Sequence, residues 1–218
     1  MNEIYTIGHS SYTHEQFLKL LIRYNINCIV DVRSTPYSKY VPQFNREEIK
    51  KFLNEKSLYY IFMGKELGAR RDDKRLYTNE GYLDFEKTSK SMVFIKGIER
   101  VKDGMEKGYK IALMCKEKDP IDCHRNILVA RQFFIQGFKV LNILGNGLTE
   151  NQEHIEERLL DLYFPERNQM TIIDIENKSN VDKKSLIKKS YILRNKEIGY
   201  SLSEKEPSQN EIIYNRIY

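Results

Sequence analysis

Five short apolar runs, each followed by a stretch of helical or turn-rich pattern, constrain the fold of this chain more than any other feature. They are Ile4–Ile7, Cys28–Val32, Tyr59–Phe62, Lys110–Met114 and Val140–Leu144. Cys28-Ile-Val-Asp-Val32 is almost continuously apolar, the pattern of a strand buried on both faces of a parallel sheet. Pro36 prevents its continuation. Between the runs, Thr13 with Gln16 makes a capping box ahead of Phe17, Leu18, Leu20, Leu21 and Tyr24 at helical spacing. Asn45 with Glu48 opens a second helix through about Lys56, and Leu83 to Lys107 reads as one helix stopped by Gly108. Arg125 to Gln136, closed by Gly137, is another, and Thr149 with Gln152 caps a last one ending near Pro165. This alternation predicts an α/β domain, Rossmann-like in layout, whose mainly parallel five-stranded sheet carries helices on both faces. Its crossovers should be right-handed.

The domain is expected over residues 1–167. Residues 168–218 are rich in Lys, Asn, Ser and Tyr, with weak strand patterns at Met170–Ile175 and Tyr191–Gly199, and read as a peripheral, partly ordered extension. A chain of 218 residues can bury a real core. No run of 18 apolar residues exists to span a membrane, and Met1–Phe17 lacks the basic start and apolar core of a signal peptide. Three cysteines do not make a disulfide scaffold, so a cytoplasmic protein is expected. The net charge of +5 is mild. It favours tolerance of anionic partners over dedicated nucleic-acid binding.

In an open parallel sheet, ligands bind outside the carboxyl ends of the strands. Four polar clusters fall at such ends: Gly8-His9-Ser10, Asp31-Val-Arg33-Ser34, Gly64-Lys65-Glu66-Leu-Gly68, and Cys115 through Arg125. A thiol facing the start of the next helix is a candidate nucleophile, since the helix dipole and nearby cations lower its pKa. Core filling is the competing account of Cys115, and the stronger one for Cys28. His9 and His124 suit proton transfer. Asp31 and Arg33 share a face, as an ion pair or as site residues, and Arg125 suits bidentate anion binding. The segment from strand through polar loop and arginine to helix has the layout that presents backbone N–H groups to an anion, although it lacks glycine. Cys115, Cys123 and His124 are loosely spaced and no second Cys/His pair exists, so neither metal nor cofactor is expected. Cys115 and Cys123 also form a possible redox pair. Arg70, Arg71, Lys74 and Arg75, with Tyr77 and Tyr82 behind them, make one local basic cluster suited to phosphates and bases, diluted by Asp72 and Asp73.

Thr6-Ile-Gly-His-Ser10, Val30-Asp-Val-Arg33 with Pro36, Gly64-Lys-Glu-Leu-Gly68, and Cys115-x-Glu117 leading to Cys123-His-Arg125 together resemble the domain of unknown function 488 family. The match runs in order from about residue 3 to 165, and Glu197-Ile-Gly-Tyr200 is similar to the strand-like segments with which the family often ends. Ala69 departs from the family's usual second glycine. The resemblance groups His9, Asp31, Arg33, Glu66, Cys115, Cys123, His124 and Arg125 into one site without assigning their roles. More distantly the layout is similar to rhodanese-like domains, which carry a catalytic cysteine in a short loop after such a strand. Here the loop to Arg125 is longer and glycine-free, so the layout carries over and sulfur transfer does not.

The expectation is an enzyme acting on a phosphate-bearing substrate, a nucleotide or nucleic acid. Cys115, His9 and His124 would supply the chemistry, with Asp31 or Glu66 orienting or acting as base. Ser10, Arg33, Lys65, Arg70, Glu117, Cys123 and Arg125 would contact substrate. The alternatives are a non-catalytic nucleic-acid-binding accessory using residues 70–75 and the basic tail, and a thiol redox sensor.

Overall fold

The computed structural model describes residues 3–168 and 182–202. Five parallel strands occupy the five apolar runs: β1 (Glu3–Gly8), β2 (Cys28–Asp31), β3 (Tyr59–Phe62), β4 (Ile111–Cys115) and β5 (Lys139–Ile143). A sixth, β6 (Thr149–Asn151), pairs antiparallel with β5, so the sheet order is β3-β2-β4-β1-β5-β6. Thr149 therefore belongs to a strand. The helix after it, α7 (Gln152–Tyr163), is capped by Asn151, whose side chain accepts from the His154 N–H.

Alternation along the strands divides the core in two. Tyr5, Ile7, Ile29 and Met114 face α1 (His14–Arg23) and α2 (Arg46–Glu55), where Phe17, Leu21, Ile49 and Leu53 are fully buried. Ile4, Val30 and Leu113 face the opposite layer, built from α5 (Met92–Glu106), the segment after Cys123, and α7. Each fully buried aliphatic side chain contributes roughly 1.5–3 kcal/mol. The capping box of Thr13 and Gln16 forms as expected, with both reciprocal bonds made. The run from Leu83 to Lys107 is two helices and not one. Asp84 caps α4 (Phe85–Ser89) and Ser91 caps α5, so a cap inside the pattern restarts the helix. Between β3 and α4 lie the single turn α3 (Gly64–Leu67) and a 3-10 turn at Lys74–Leu76.

The connection after β4 winds wide. Arg125–Ala130 is π-helical with every residue buried, and passes into α6 (Arg131–Ile135). The C-terminal region differs from expectation. Tyr191–Gly199 is no strand: Lys183–Ile198 forms α8, capped by Asp182 and packed on α7. Tyr191 is 1% exposed, and the Asn195 amide accepts from Phe85 N–H and donates to Leu83 C=O. The strand expected at Met170–Ile175 lies outside the described residues. Among the described residues no helix is long and apolar enough to cross a membrane.

Candidate functional site

The sheet order puts the ends of β2, β4 and β1 side by side, and the register aligns Gly8 with Cys115 and Asp31 with Met114. The ladder extends past the strands: His9 N–H donates to Cys115 C=O, Ser10 N–H to Lys116 C=O, and Val32 N–H to Met114 C=O. Three of the four polar clusters are thus brought together by backbone pairing alone.

Asp31 lies at the bottom, fully buried. It accepts from Arg33 Nε at 2.9 Å, Arg33 Nη2 at 2.6 Å, the Arg33 backbone N–H at 3.0 Å and the Tyr60 hydroxyl at 2.6 Å. Four donors occupy this carboxylate, which suits it to holding Arg33 and not to taking a substrate proton. Burial and the neighbouring Asp31 charge push the Tyr60 hydroxyl pKa far up, so it stays a donor. The Arg33 Nη1 stands 3.0 Å from His9 Nε2, and His9 Nδ1 stands 3.0 Å from the Ser10 carbonyl. Arg33 can only donate and the carbonyl can only accept, so His9 is the neutral Nδ1–H tautomer. Burial, reinforced by the Arg33 charge, lowers its pKa to about 4. Its ring stacks on Phe44 with centroids 4.3 Å apart. At neutral pH His9 is therefore an uncharged acceptor that orients Arg33.

The second half of the site is Cys115 at the end of β4 and Cys123-His124 at the end of the loop. Arg125 shapes that loop. Its guanidinium is fully buried and donates to Glu117 C=O at 2.6 Å, Lys118 C=O at 3.3 Å and Thr6 Oγ1 at 3.3 Å. The loop can close so tightly because residue 8 is glycine: a Cβ there would sit 1.9 Å from the Glu117 oxygen. Arg158 fixes the outer side, binding Asp119 at 2.6 Å and Glu150 at 2.8 Å. The braced loop sets Cys115 Sγ 3.8 Å from His124 Nδ1, while His124 Nε2 donates to Val32 C=O at 3.0 Å. Cys115 Sγ, Cys123 Sγ and a His124 nitrogen all lie within 4.8 Å of one another.

All three cysteines are free thiols. Burial opposes ionisation of Cys123, yet a hydrogen bond from Cys115 and the charge of Arg125 bring its pKa well below the ordinary thiol value. That same hydrogen bond, with burial, pushes Cys115 up. Cys28, alone in the sheet, is pushed up to about 11 by burial, as befits a core residue.

These groups line a cleft of about 480 Å³. Its floor holds His9, Arg33, Cys115, Cys123 and His124, and its walls include Lys116, Glu117, Arg70 and Tyr200. Arg70 lies over the Tyr200 ring at 4.4 Å, and its backbone N–H donates to Ser34 Oγ at 2.9 Å. Two acids at the rim, Asp122 and Glu197, both pair with Arg194 of α8.

Residues 13–132 match the family model described as "Domain of unknown function DUF488". The chain belongs to this family. No curated protein and no solved structure matches it. The DUF488 span carries Asp31, Arg33, Cys115, Cys123 and His124, whereas β1 with His9, and α8 with the Tyr200 wall, lie outside it.

Other residues expected at the site are placed elsewhere in this DUF488 protein. Glu66 pairs with Arg100 of α5 at 3.0 Å. Lys65 borders a separate hollow beside Arg71, which donates to the carbonyls of Lys65 and Glu66. Ser10 has φ 44° and gives its carbonyl to His9. Arg125 is fully buried and does not border the cleft, which makes it a brace for the loop, whereas Arg33 keeps an edge on the cleft. Within the basic cluster only Arg70 borders the cleft, since Arg71 is turned inward and Arg75 pairs with Asp73 at 2.8 Å. Lys116 and Tyr200 also line the cleft and were not among the residues expected there. The strand-end rule that singled out Cys115 applies equally to its neighbour Lys116. Tyr200 falls in Glu197–Tyr200, whose pattern resembles a strand, whereas the chain is helical to Ile198 and leaves Tyr200 just beyond the helix end.

Proposed function

We propose that this protein is an enzyme acting on a phosphate-bearing substrate, a nucleotide or the end of a nucleic acid, in the cleft at the carboxyl edge of β2, β4 and β1. The observation that carries this is the meeting of two chemistries in one cavity. Arg33, Arg70 and Lys116 present cationic groups, and Cys115, Cys123 and His124 form a reactive centre beside them. The volume of about 480 Å³ suits a nucleotide-sized ligand. Arg33 is the best-prepared anion contact. Asp31 and His9 fix it by three of its donor groups, so its ordering cost is met before substrate arrives. Arg70 and Lys116 complete the anion subsite, with Tyr200 lining the cleft beside Arg70. Asp31, His9 and Arg125 are positioning residues.

The non-catalytic nucleic-acid-binding alternative has less support, because Arg71 and Arg75 are occupied within the chain. The redox-sensor alternative draws on the closeness of Cys115 and Cys123, and a bridge between them in peptide maps after mild peroxide would favour it.

Calorimetric titration of the full chain with inorganic phosphate, a nucleoside monophosphate and a 5′-phosphorylated single-stranded oligonucleotide tests the proposal. Binding should weaken about tenfold for each of Arg70→Ala and Lys116→Ala, near 1.4 kcal/mol apiece. Failure of all three ligands to bind at millimolar concentration, or binding indifferent to both substitutions, overturns it.

A further inference from the structure

We propose that Cys115, Cys123 and His124 are three protein ligands of one borderline-soft divalent cation, zinc foremost, whose fourth position opens into the cleft. This departs from the sequence expectation of no metal. That expectation demanded four protein donors, whereas a catalytic zinc site takes three and leaves the fourth position to water or substrate.

The first argument is the donor set. Two sulfurs and an imidazole nitrogen are a combination that selects zinc over the hard cations. The second is distance. Tetrahedral coordination with metal–sulfur bonds of about 2.3 Å and metal–nitrogen bonds of about 2.05 Å places sulfurs about 3.8 Å apart and sulfur about 3.5 Å from nitrogen. Cys115 Sγ and His124 Nδ1 stand 3.8 Å apart, and no pair among the three donor atoms exceeds 4.8 Å. Side-chain rotation of less than about 1 Å closes the remainder.

The third argument is the shell behind the donors. A metal-ligating histidine almost always gives its other nitrogen to a fixed acceptor. His124 Nε2 donates to the Val32 carbonyl, which turns the Nδ1 lone pair toward the two sulfurs. The donors also sit on fixed backbone. Cys115 ends a central strand, and Cys123 and His124 follow a turn (Pro120–Asp122) capped by Asp119 and tied by Arg158. Thiolate charge here faces buried Arg125, and two thiolates with a divalent cation form a neutral unit. Finally, all three ligands border the cleft that holds Arg33, so the free position faces the proposed anion subsite. The inference deepens the proposed function and rests on it only for what the fourth position meets. Metal binding itself requires no substrate.

The test is cobalt(II) titration of the full chain, stripped with a chelator and kept reduced. One cobalt per chain is expected, with intense tetrahedral d–d bands and a sulfur-to-cobalt charge-transfer band. Cys28→Ser should keep this spectrum, and Cys123→Ser or His124→Ala should weaken cobalt binding at least tenfold. Because those two variants can misfold, X-ray absorption of the zinc-loaded unsubstituted chain provides an independent readout: two sulfur and one nitrogen neighbours from protein. A reduced, folded chain that takes up no cobalt, or whose metal lacks sulfur neighbours, overturns the proposal. So does a spectrum that survives the loss of Cys123 but not of Cys28. Phosphate binding is read separately, so failure of one proposal leaves the other standing.

Discussion

His9 should make this protein acid-sensitive in a window where few other groups titrate. In an unfolded chain it takes up a proton near pH 6.5, and in the folded chain near pH 4. Between these values the unfolded chain binds more protons, so stability rises with pH. The contribution is complete above about pH 6.5 and is lost as pH falls toward 4. At pH 5 the unfolded partition term is about 30 times the folded one, which removes about 2 kcal/mol, against about 0.2 kcal/mol at pH 7. Burial is the largest effect and, with the Arg33 and Lys116 charges, opposes a positive ring; the Ser10 carbonyl and Asp31 favour it and are outweighed. The perturbation is His9→Gln, which keeps an acceptor for Arg33 and removes the titration. Urea unfolding of both proteins at pH 7 and pH 5 isolates the term, because other carboxylates cancel in the double difference. The unsubstituted chain should lose about 2 kcal/mol more than the variant over that interval. With only four histidines, NMR can follow the His9 ring directly. Parallel stability curves, or a folded-state His9 that titrates near 6.5, would refute the assignment of His9 as a neutral acceptor.

Three further substitutions probe the supports of the site. Arg125→Met removes the guanidinium inside the loop and should cost about 3 kcal/mol, read by urea unfolding, since its carbonyl partners lose a charged donor. A cost under about 1 kcal/mol would mean that the brace is dispensable. Gly8→Ala drives a methyl into the Glu117 carbonyl, which cannot rotate away, and should cost about 3 kcal/mol or more in the same assay. Tyr60→Phe takes one donor from Asp31 and should lower stability by about 2 kcal/mol in thermal unfolding, with cobalt binding unchanged.

Much of this arrangement was legible in the sequence because it follows from strand periodicity. Once Ile4–Ile7, Cys28–Val32 and Lys110–Met114 read as parallel strands, the rule that ligands bind at carboxyl ends picks out His9, Arg33 and Cys115 without contact information. The approach of Cys123 and His124 to Cys115 was not legible. It depends on an eight-residue loop folding back around Arg125, and the direction of a buried arginine is set by carbonyls that no spacing rule locates. Gly64–Gly68 shows the opposite failure. It sits at a strand end and carries Lys65 and Glu66, yet β3 is an edge strand, so its cluster faces α5 and Arg71 instead of the cleft. Helix α8 was missed because its apolar residues, Leu186, Ile187, Ile192, Leu193 and Ile198, follow no single stripe. Its buried positions include the polar Ser190 and Asn195, which hydrogen bonds satisfy.

That helix changes what the cleft is. Arg194 of α8 donates to the Ile121 carbonyl at 2.9 Å and pairs with Asp122, inside the loop that carries Cys123 and His124. Residues 197–200 then form one wall of the cavity, with Tyr200 beneath Arg70. Cys115, Cys123, His124 and Arg33 lie within residues 13–132, where the family model matches. The wall that would meet the rest of a substrate comes from the C-terminal side of that span. The same guanidinium engages Asp122 and Glu197, two of the acids at the rim, so the tail partly offsets negative charge there while it builds the wall. On the proposed function, chemistry and substrate choice would fall to different parts of one chain: strand ends fixed by the sheet register to the first, and a helix docked through Tyr191, Arg194 and Asn195 to the second.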